Sequence, residues 1–218
     1  MPSRPALAPS PSSVSSSRAK LLDAAVSLIR HKGFSATTVD DICRAAGLSK
    51  GAFFHHFKSK EDLAFAAAQH FASFADTLFD AAPFMKWEDP RDRALAYIDF
   101  RKSILRGQPA DYACFLGTVV QEAHETHPEL RDACGGHIGD HATRIAADLA
   151  AAKARHAPDA DWKPESVALF TQAVLQGAFV LAKAQQRVDV AADCLDHLRA
   201  YVETLLPVEA KAREPSQA

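Results

Sequence analysis

The chain has 218 residues, 48% of them hydrophobic and 24% charged, with a formal net charge of −2. That composition excludes global disorder, and the length suffices for a sizeable buried core in one or two domains. Averaged over the chain, the near-zero charge speaks against nucleic acid, but charge has to be counted by region.

Residues 1–65 carry nine Lys/Arg and five Asp/Glu, a surplus of four positive charges, whereas the remainder carries sixteen against twenty-two. A basic head on an acidic body points to a nucleic-acid module joined to something else. Residues 1–17 contain seven Ser and four Pro. They read as a disordered arm, with no apolar run of signal-peptide type. No stretch holds the ~18–20 uninterrupted apolar residues of a membrane span. Cys43, Cys114, Cys134 and Cys194 lie far apart without a CxxC pair, so reduced thiols in a cytoplasmic protein are expected.

From Arg18 the pattern is helical. Leu21, Leu22, Ala25, Leu28 and Ile29 form one apolar face, and Gly33 ends the helix after His31 and Lys32. Thr37 or Thr38 caps a second, short helix with Val39, Ile42 and Ala46 as its expected buried face. Gly47 turns the chain, Leu48 plugs the interior, and Ser49 caps a third helix to about His56. Phe53 and Phe57, four apart, pack inward on that third helix. Ser59 is the expected N-cap of a long fourth helix reaching about Phe79. Three short helices with a glycine turn between the second and third have the dimensions of a helix-turn-helix. Further helices are expected near 90–106, 112–125, 128–155, 164–187 and 190–206. Strand alternation is absent, and the fold class is all-α.

The segment TTVDDICRAAGLSKGAFFHHFKSKEDL (37–63) resembles the DNA-binding signature of the TetR (tetracycline-repressor) family. The positions that carry the resemblance are Thr38, Ile42, Ala45-Ala46-Gly47, Ser49, Gly51, Phe57, Ser59-Lys60-Glu61 and Leu63, with Gly33-Phe34 upstream. The resemblance departs at Ala52, where many members carry Thr or Ser, and at Phe54, where Tyr is usual. It divides the chain into the arm 1–17, a DNA-binding head 18–63, an effector-binding and dimerisation body 64–207, and a flexible tail 208–218. Thr38, Arg44, Lys50 and Lys60 suit phosphate contact. Ser49, Gly51, Ala52, Phe54, His55 and His56 complete the expected DNA-binding set, Ala52 being suited to a thymine methyl. The implied partner is double-stranded DNA carrying a palindromic operator.

The resemblance also implies a homodimer and a small-molecule effector. Val167, Phe170, Val174, Ala178 and Leu181 follow heptad-like spacing, as do Cys194, Leu198, Tyr201 and Leu205. All but Cys194 are the expected dimer contacts, and Leu169, Ala173 and Val180 form a second apolar stripe. Polar residues among apolar neighbours mark an expected effector pocket: Thr118, Glu122, Gln172 and Gln176, with Phe100, Ile104, Phe115 and Val119 as walls. Cys134, His137 and His141 have C-x2-H-x3-H spacing, but no metal or cofactor is assigned. The expected function is a sequence-specific repressor released from its operator by the effector. Its rivals are a DNA-binding regulator without an effector (metal- or thiol-sensing, or architectural) and an all-α enzyme.

Overall fold

The structure is a computed structural model that describes residues 16–207. Residues 1–15 of the expected arm and the tail 208–218 lie outside it. Among the described residues there are ten α-helices and no strand.

The head comprises α1 (Ser17–Lys32), α2 (Val39–Ala46) and α3 (Lys50–His56), followed by α4 (Lys60–Asp80). Each begins on a hydroxyl that accepts a backbone N–H three residues on: Ser16 from Ala19, Thr38 from Asp41, Ser49 from Ala52 and Ser59 from Asp62. Thr38, not Thr37, is the cap of α2, and with Asp41 it closes a reciprocal capping box. Thr37 is buried instead, its hydroxyl donating to the Gly33 carbonyl at 2.6 Å. Gly47 ends α2 in the left-handed region, φ 66° and ψ 35°, where a Cβ would be strained. On α2 the fully buried residues are Ile42 and Cys43, with Val39 and Ala46 only partly covered.

After a 3-10 turn (Pro83–Lys86) come α5 (Pro90–Ser103), α6 (Pro109–Tyr112), α7 (Phe115–Ala123), α8 (Pro128–His156), α9 (Pro164–Gln185) and α10 (Val188–Leu205). The helix expected over 112–125 is two helices. Cys114 stands between them and caps α7, its sulfur accepting from Gly117 N.

Two apolar cores hold these elements. One lies within the body, between α5, α8, α9 and α10, around Leu95, Tyr97, Leu149, Leu175, Phe179 and Leu198. The other is shared by head and body. It joins Leu21, Ile29, Ile42, Phe53 and Leu63 to Phe115 and Val119 of α7 and to Leu130 and Cys134 of α8. This second core does not stop at residue 63, since Ala64, Ala67 and Ala68 of α4 belong to it. Phe53 and Phe115 are both fully enclosed, each contributing about 1.5–3 kcal/mol of burial.

By length and mean hydropathy (1.5) α9 would be apolar enough to cross a membrane, although Thr171, Gln172 and Gln176 interrupt its apolar runs. Packing accounts for that apolarity. One side of α9 is buried in the body core, and the other carries exposed Leu169, Phe170, Val180 and Leu181.

Candidate nucleic-acid interface and body cavities

α3 is anchored from below by Phe53, and Phe57 at its end is likewise buried. This fixes which side faces out. Lys50, Gly51, Phe54 and His55 are exposed, and Ala52 and His56 are partly so. Phe54 keeps 58% of its surface in water. A Cβ built on Gly51 would meet nothing closer than the Ser49 hydroxyl at 3.6 Å. The missing side chain therefore serves no internal packing, and it leaves the outer surface of α3 low enough for close approach.

Cations flank that surface. Arg44 is exposed, with Nη1 3.5 Å from an Asp41 oxygen. Lys50 Nζ lies 2.7 Å from Asp40 Oδ1, a hydrogen bond that raises the lysine pKa and keeps it charged. Asp41 is held well below the usual carboxylate range by hydrogen bonds first from Lys32 and then from Thr38. The Thr38 and Ser49 hydroxyls are engaged as caps. Lys60 departs from expectation: it is half-buried, donates to the Phe34 carbonyl at 3.0 Å and lies 4.3 Å above that ring. Its reach is spent inside the head, because α4 starts directly beneath the loop that carries Phe34.

The same loop is bound to the body. Ser35 N donates to Glu122 Oε2 of α7 at 2.9 Å. Gly33, at φ 91°, makes this possible, since a Cβ there would stand 2.2 Å from Glu122 Oε1.

Three of the body's cavities bear on the expected pocket. One, of about 210 Å³, opens between α7 and α9 and is lined by Cys114, Thr118, Gln121, Glu122, Gln176 and Lys183. Gln176 also reaches a smaller one, of about 90 Å³, together with Gln172, Arg101 and His137. The third, of about 240 Å³, is mainly apolar, walled by Phe79, Phe84, Tyr97 and Ile98. The polar pocket residues Thr118, Glu122, Gln172 and Gln176 are thus at cavity walls, but the apolar walls expected for them are not. Phe115 and Val119 are filled core beneath the head. Phe100 packs on the rings of Phe79 and Phe84, and Ile104 is buried at the end of α5.

The Cys134, His137 and His141 spacing does not converge, and among the described residues no group of three His, Cys, Asp or Glu gathers for a metal. Cys134 is sealed in the shared core, where burial pushes its thiol up to about 12. His141 sits 2.9 Å from the Tyr97 hydroxyl, and burial, then Arg101 and Arg144, lower its pKa to about 3. The imidazole is thereby held neutral, with Nε2 hydrogen-bonded to the Tyr97 hydroxyl.

The expected dimer face needs correcting as well. Val167, Ala178 and Leu198 are buried within the chain and face its own core. Val174 and Leu205 pack against that core, partly covered. Phe170, Leu181 and Tyr201 remain exposed, and the rings of Phe170 and Tyr201 meet edge-on at 5.1 Å. Leu169 and Val180 of the second stripe are exposed beside them.

Two charged side chains lie outside the expected site residues. Arg30 of α1 is 4% exposed, and Lys183 of α9 stands on the wall of the α7–α9 cavity. The signal for Arg30 was present: with Leu22 and Val26 it continues an i, i+4, i+8 row on the inward side of α1.

Residues 21–67 match the family model described as bacterial regulatory proteins, tetR family, and residues 90–201 match that of the tetracyclin repressor-like C-terminal domain. The chain is 27% identical over 169 residues to the transcriptional regulator AcuR of Cereibacter sphaeroides, covering 78% of this chain and 77% of that one. It is 44% identical over 62 residues to the HTH-type transcriptional repressor KstR2 of Rhodococcus jostii, a match spanning 28% of this chain and 29% of the relative. Among solved structures it resembles regulatory protein TetR from Rhodobacter sphaeroides, with a TM-score of 0.77 and 25% identity, covering 86% of this chain and 99% of that one. A TetR transcriptional regulator from Chloroflexus aurantiacus superposes with a TM-score of 0.76 at 26% identity, covering 87% and 96%.

Proposed function

The chain belongs to the tetR family of bacterial transcriptional regulators, and on that premise we propose that it is a homodimeric cytoplasmic repressor, released from a palindromic operator by a small molecule. The observation that carries the reading is the outer face of α3. It is stripped of bulk at Gly51 and Ala52, presents Phe54 and His55, and is flanked by Lys50 and Arg44. Such a face enters a major groove while its flanking cations hold the phosphates.

The exposed apolar side of α9, with Tyr201 of α10, supports a dimer, since two copies packed there would form a four-helix interface. A two-fold dimer places one α3 in each half of a palindrome. The effector would enter the body, where Thr118, Glu122 and Gln176 give the α7–α9 cavity its polar groups. Occupancy would favour a state in which the two heads no longer match the half-site spacing, a population shift between conformers.

The test is a gel shift with palindromes from the DNA upstream of the protein's own gene. Specific retardation that weakens with salt, and weakens further in Lys50→Ala and Arg44→Ala, is the expected result. Retardation indifferent to both substitutions overturns the assigned face.

A further inference from the structure

The mainly apolar cavity of about 240 Å³ and its neighbour of about 90 Å³ have Phe79 and His141 in common, and those two rings lie 4.7 Å apart. They are two chambers divided by a ring pair. Phe84, Ala94, Ile98 and Leu149 wall the larger, while Phe71, Ala72 and Ala75 of α4 contribute to the smaller. An apolar void of about 150 Å³ already admits benzene, so the larger chamber has room for an aromatic ring or a short aliphatic chain.

The polar groups at the division are uncharged. The Tyr97 hydroxyl and His141 Nε2 are hydrogen-bonded to each other at 2.9 Å, and burial holds the imidazole neutral. Gln172, only 8% exposed, joins them from α9 on the wall of the smaller chamber. Its amide is near enough to act on the Tyr97 hydroxyl, but Nε2 is enclosed and makes no hydrogen bond. A buried amide donor without an acceptor is costly, and a ligand that brings one removes that cost.

Charges around the chambers are matched. Arg144 pairs with Asp76 and Asp80, and Asp148 pairs with Arg93. Arg101, on the smaller chamber, lies over the rings of Phe79 and Phe179, with Asp76 and Asp140 on the same wall. An ionised ligand would find no surplus counter-charge here, and its desolvation would go uncompensated.

We propose that the two chambers take a small uncharged molecule with an apolar body and one hydrogen-bond acceptor, of the aryl ketone or ester class. Its body fills the larger chamber, and its acceptor takes the open Gln172 Nε2. The inference rests on the repressor reading above and gives that reading's effector a chemical class. It also sets the effector's apolar part beyond Gln176, which lines both the smaller chamber and the α7–α9 cavity. Phe79 belongs to the same helix as Leu63, Ala64 and Ala67, which pack in the core of the head. A ligand wedged against Phe79 therefore bears on the helix that leads to the DNA-binding unit.

Three probes of one shape separate the contributions: acetophenone, α-methylstyrene, which lacks the acceptor, and benzoate, which is ionised. Thermal shift over a concentration series on the full chain reads binding, and fluorescence anisotropy on the operator palindrome reads release. Acetophenone at millimolar concentration is expected to raise Tm and to weaken operator binding about tenfold. α-Methylstyrene should bind about tenfold less tightly, and benzoate should do neither. In Gln172→Met, which keeps the bulk and removes the donor, acetophenone should fall to the level of α-methylstyrene, whose own affinity stays unchanged. Ala94→Leu, which fills the larger chamber, should abolish the response to both. Because Ala94→Leu can fail to fold, the Gln172→Met comparison decides independently of it. No Tm response of the wild type to acetophenone, an equal response to benzoate, or an undiminished preference for acetophenone in Gln172→Met overturns the proposal. A raised Tm without operator release overturns the ligand's role as effector. Failure of the ligand-free protein to bind any operator overturns the repressor reading instead, and the thermal shift still decides the site.

Discussion

The Lys60 ammonium donates to the Phe34 carbonyl at 3.0 Å and rests 4.3 Å above the Phe34 ring, while the His127 ring meets the same phenyl edge-on at 5.3 Å. Phe34 is thus clamped between the first turn of α4 and the residue that precedes α8. Lys60 thus holds Phe34 within the DNA-binding unit, and His127 ties the same ring to the body.

Lys60 and Lys50 should therefore separate when each is changed to Ala. Lys60→Ala is expected to lower stability by about 1 kcal/mol, from the lost hydrogen bond and ring contact, as read by urea denaturation. Lys50→Ala should leave the denaturation midpoint in place but weaken DNA binding and reduce the slope of log affinity against log salt by about 1.

The capping box of α2 offers a second check. Thr38→Ala removes the acceptor for Asp41 N and one of the bonds that hold Asp41 ionised. A loss of about 1 kcal/mol is expected, with Thr38→Ser restoring most of it. Operator affinity should fall in the Ala variant, because α2 sets the crossing angle of α3.

His141 gives the fold a pH dependence of known sign. Its folded pKa is lowered to about 3 from 6.5, chiefly by burial, so the unfolded chain binds more protons between those values. The stabilisation is present in full above pH 6.5 and is lost as pH falls toward 3, with a slope of at most about 1.4 kcal/mol per pH unit. Chemical denaturation at pH 7.5 and pH 5 should show this loss, and His141→Gln should flatten it.

Phe170 and Leu181 protrude from α9, whereas Leu198 points into the body. Phe170→Asp and Leu181→Asp should each yield monomers in sedimentation velocity, with operator affinity reduced about a hundredfold as the second head is lost. Leu198→Ala should instead cost about 2–5 kcal/mol of stability and leave the dimer intact wherever the chain remains folded.

The head was legible because its signals are local. Ser49, Ser59 and Thr38 satisfy open N–H groups within three residues, and Gly47 relieves a left-handed turn, so each can be read without knowing what lies across the core. The body was only partly legible. α9 has two apolar stripes, and heptad spacing does not say which of them meets the chain's own core. Hence the spacing sets Val167 and Ala178 outward with Phe170 and Leu181, whereas the first two are buried. The same limit applied to the cavities. Thr118, Glu122 and Gln176 stood out as polar residues on apolar helices, but Phe115 and Val119 have the same chemistry as any cavity wall while filling a core. Arg30 was concealed by its residue type, since a lone arginine in an apolar row is ordinarily taken to face water.

Phe115 and Val119 of α7, with Leu130 and Cys134 of α8, close the core beneath α1 and α3. Six of the twenty buried residues of that core are thus encoded some fifty or more residues downstream of α3. A fragment ending at Leu63 would expose Leu21, Ile29 and Phe53 to water, and a chimera that borrows only the first 63 residues from a relative would mate two surfaces never selected together. On the proposed reading, exchange of operator specificity falls to the outer face of α3, where a substitution would alter what is read without disturbing what is packed.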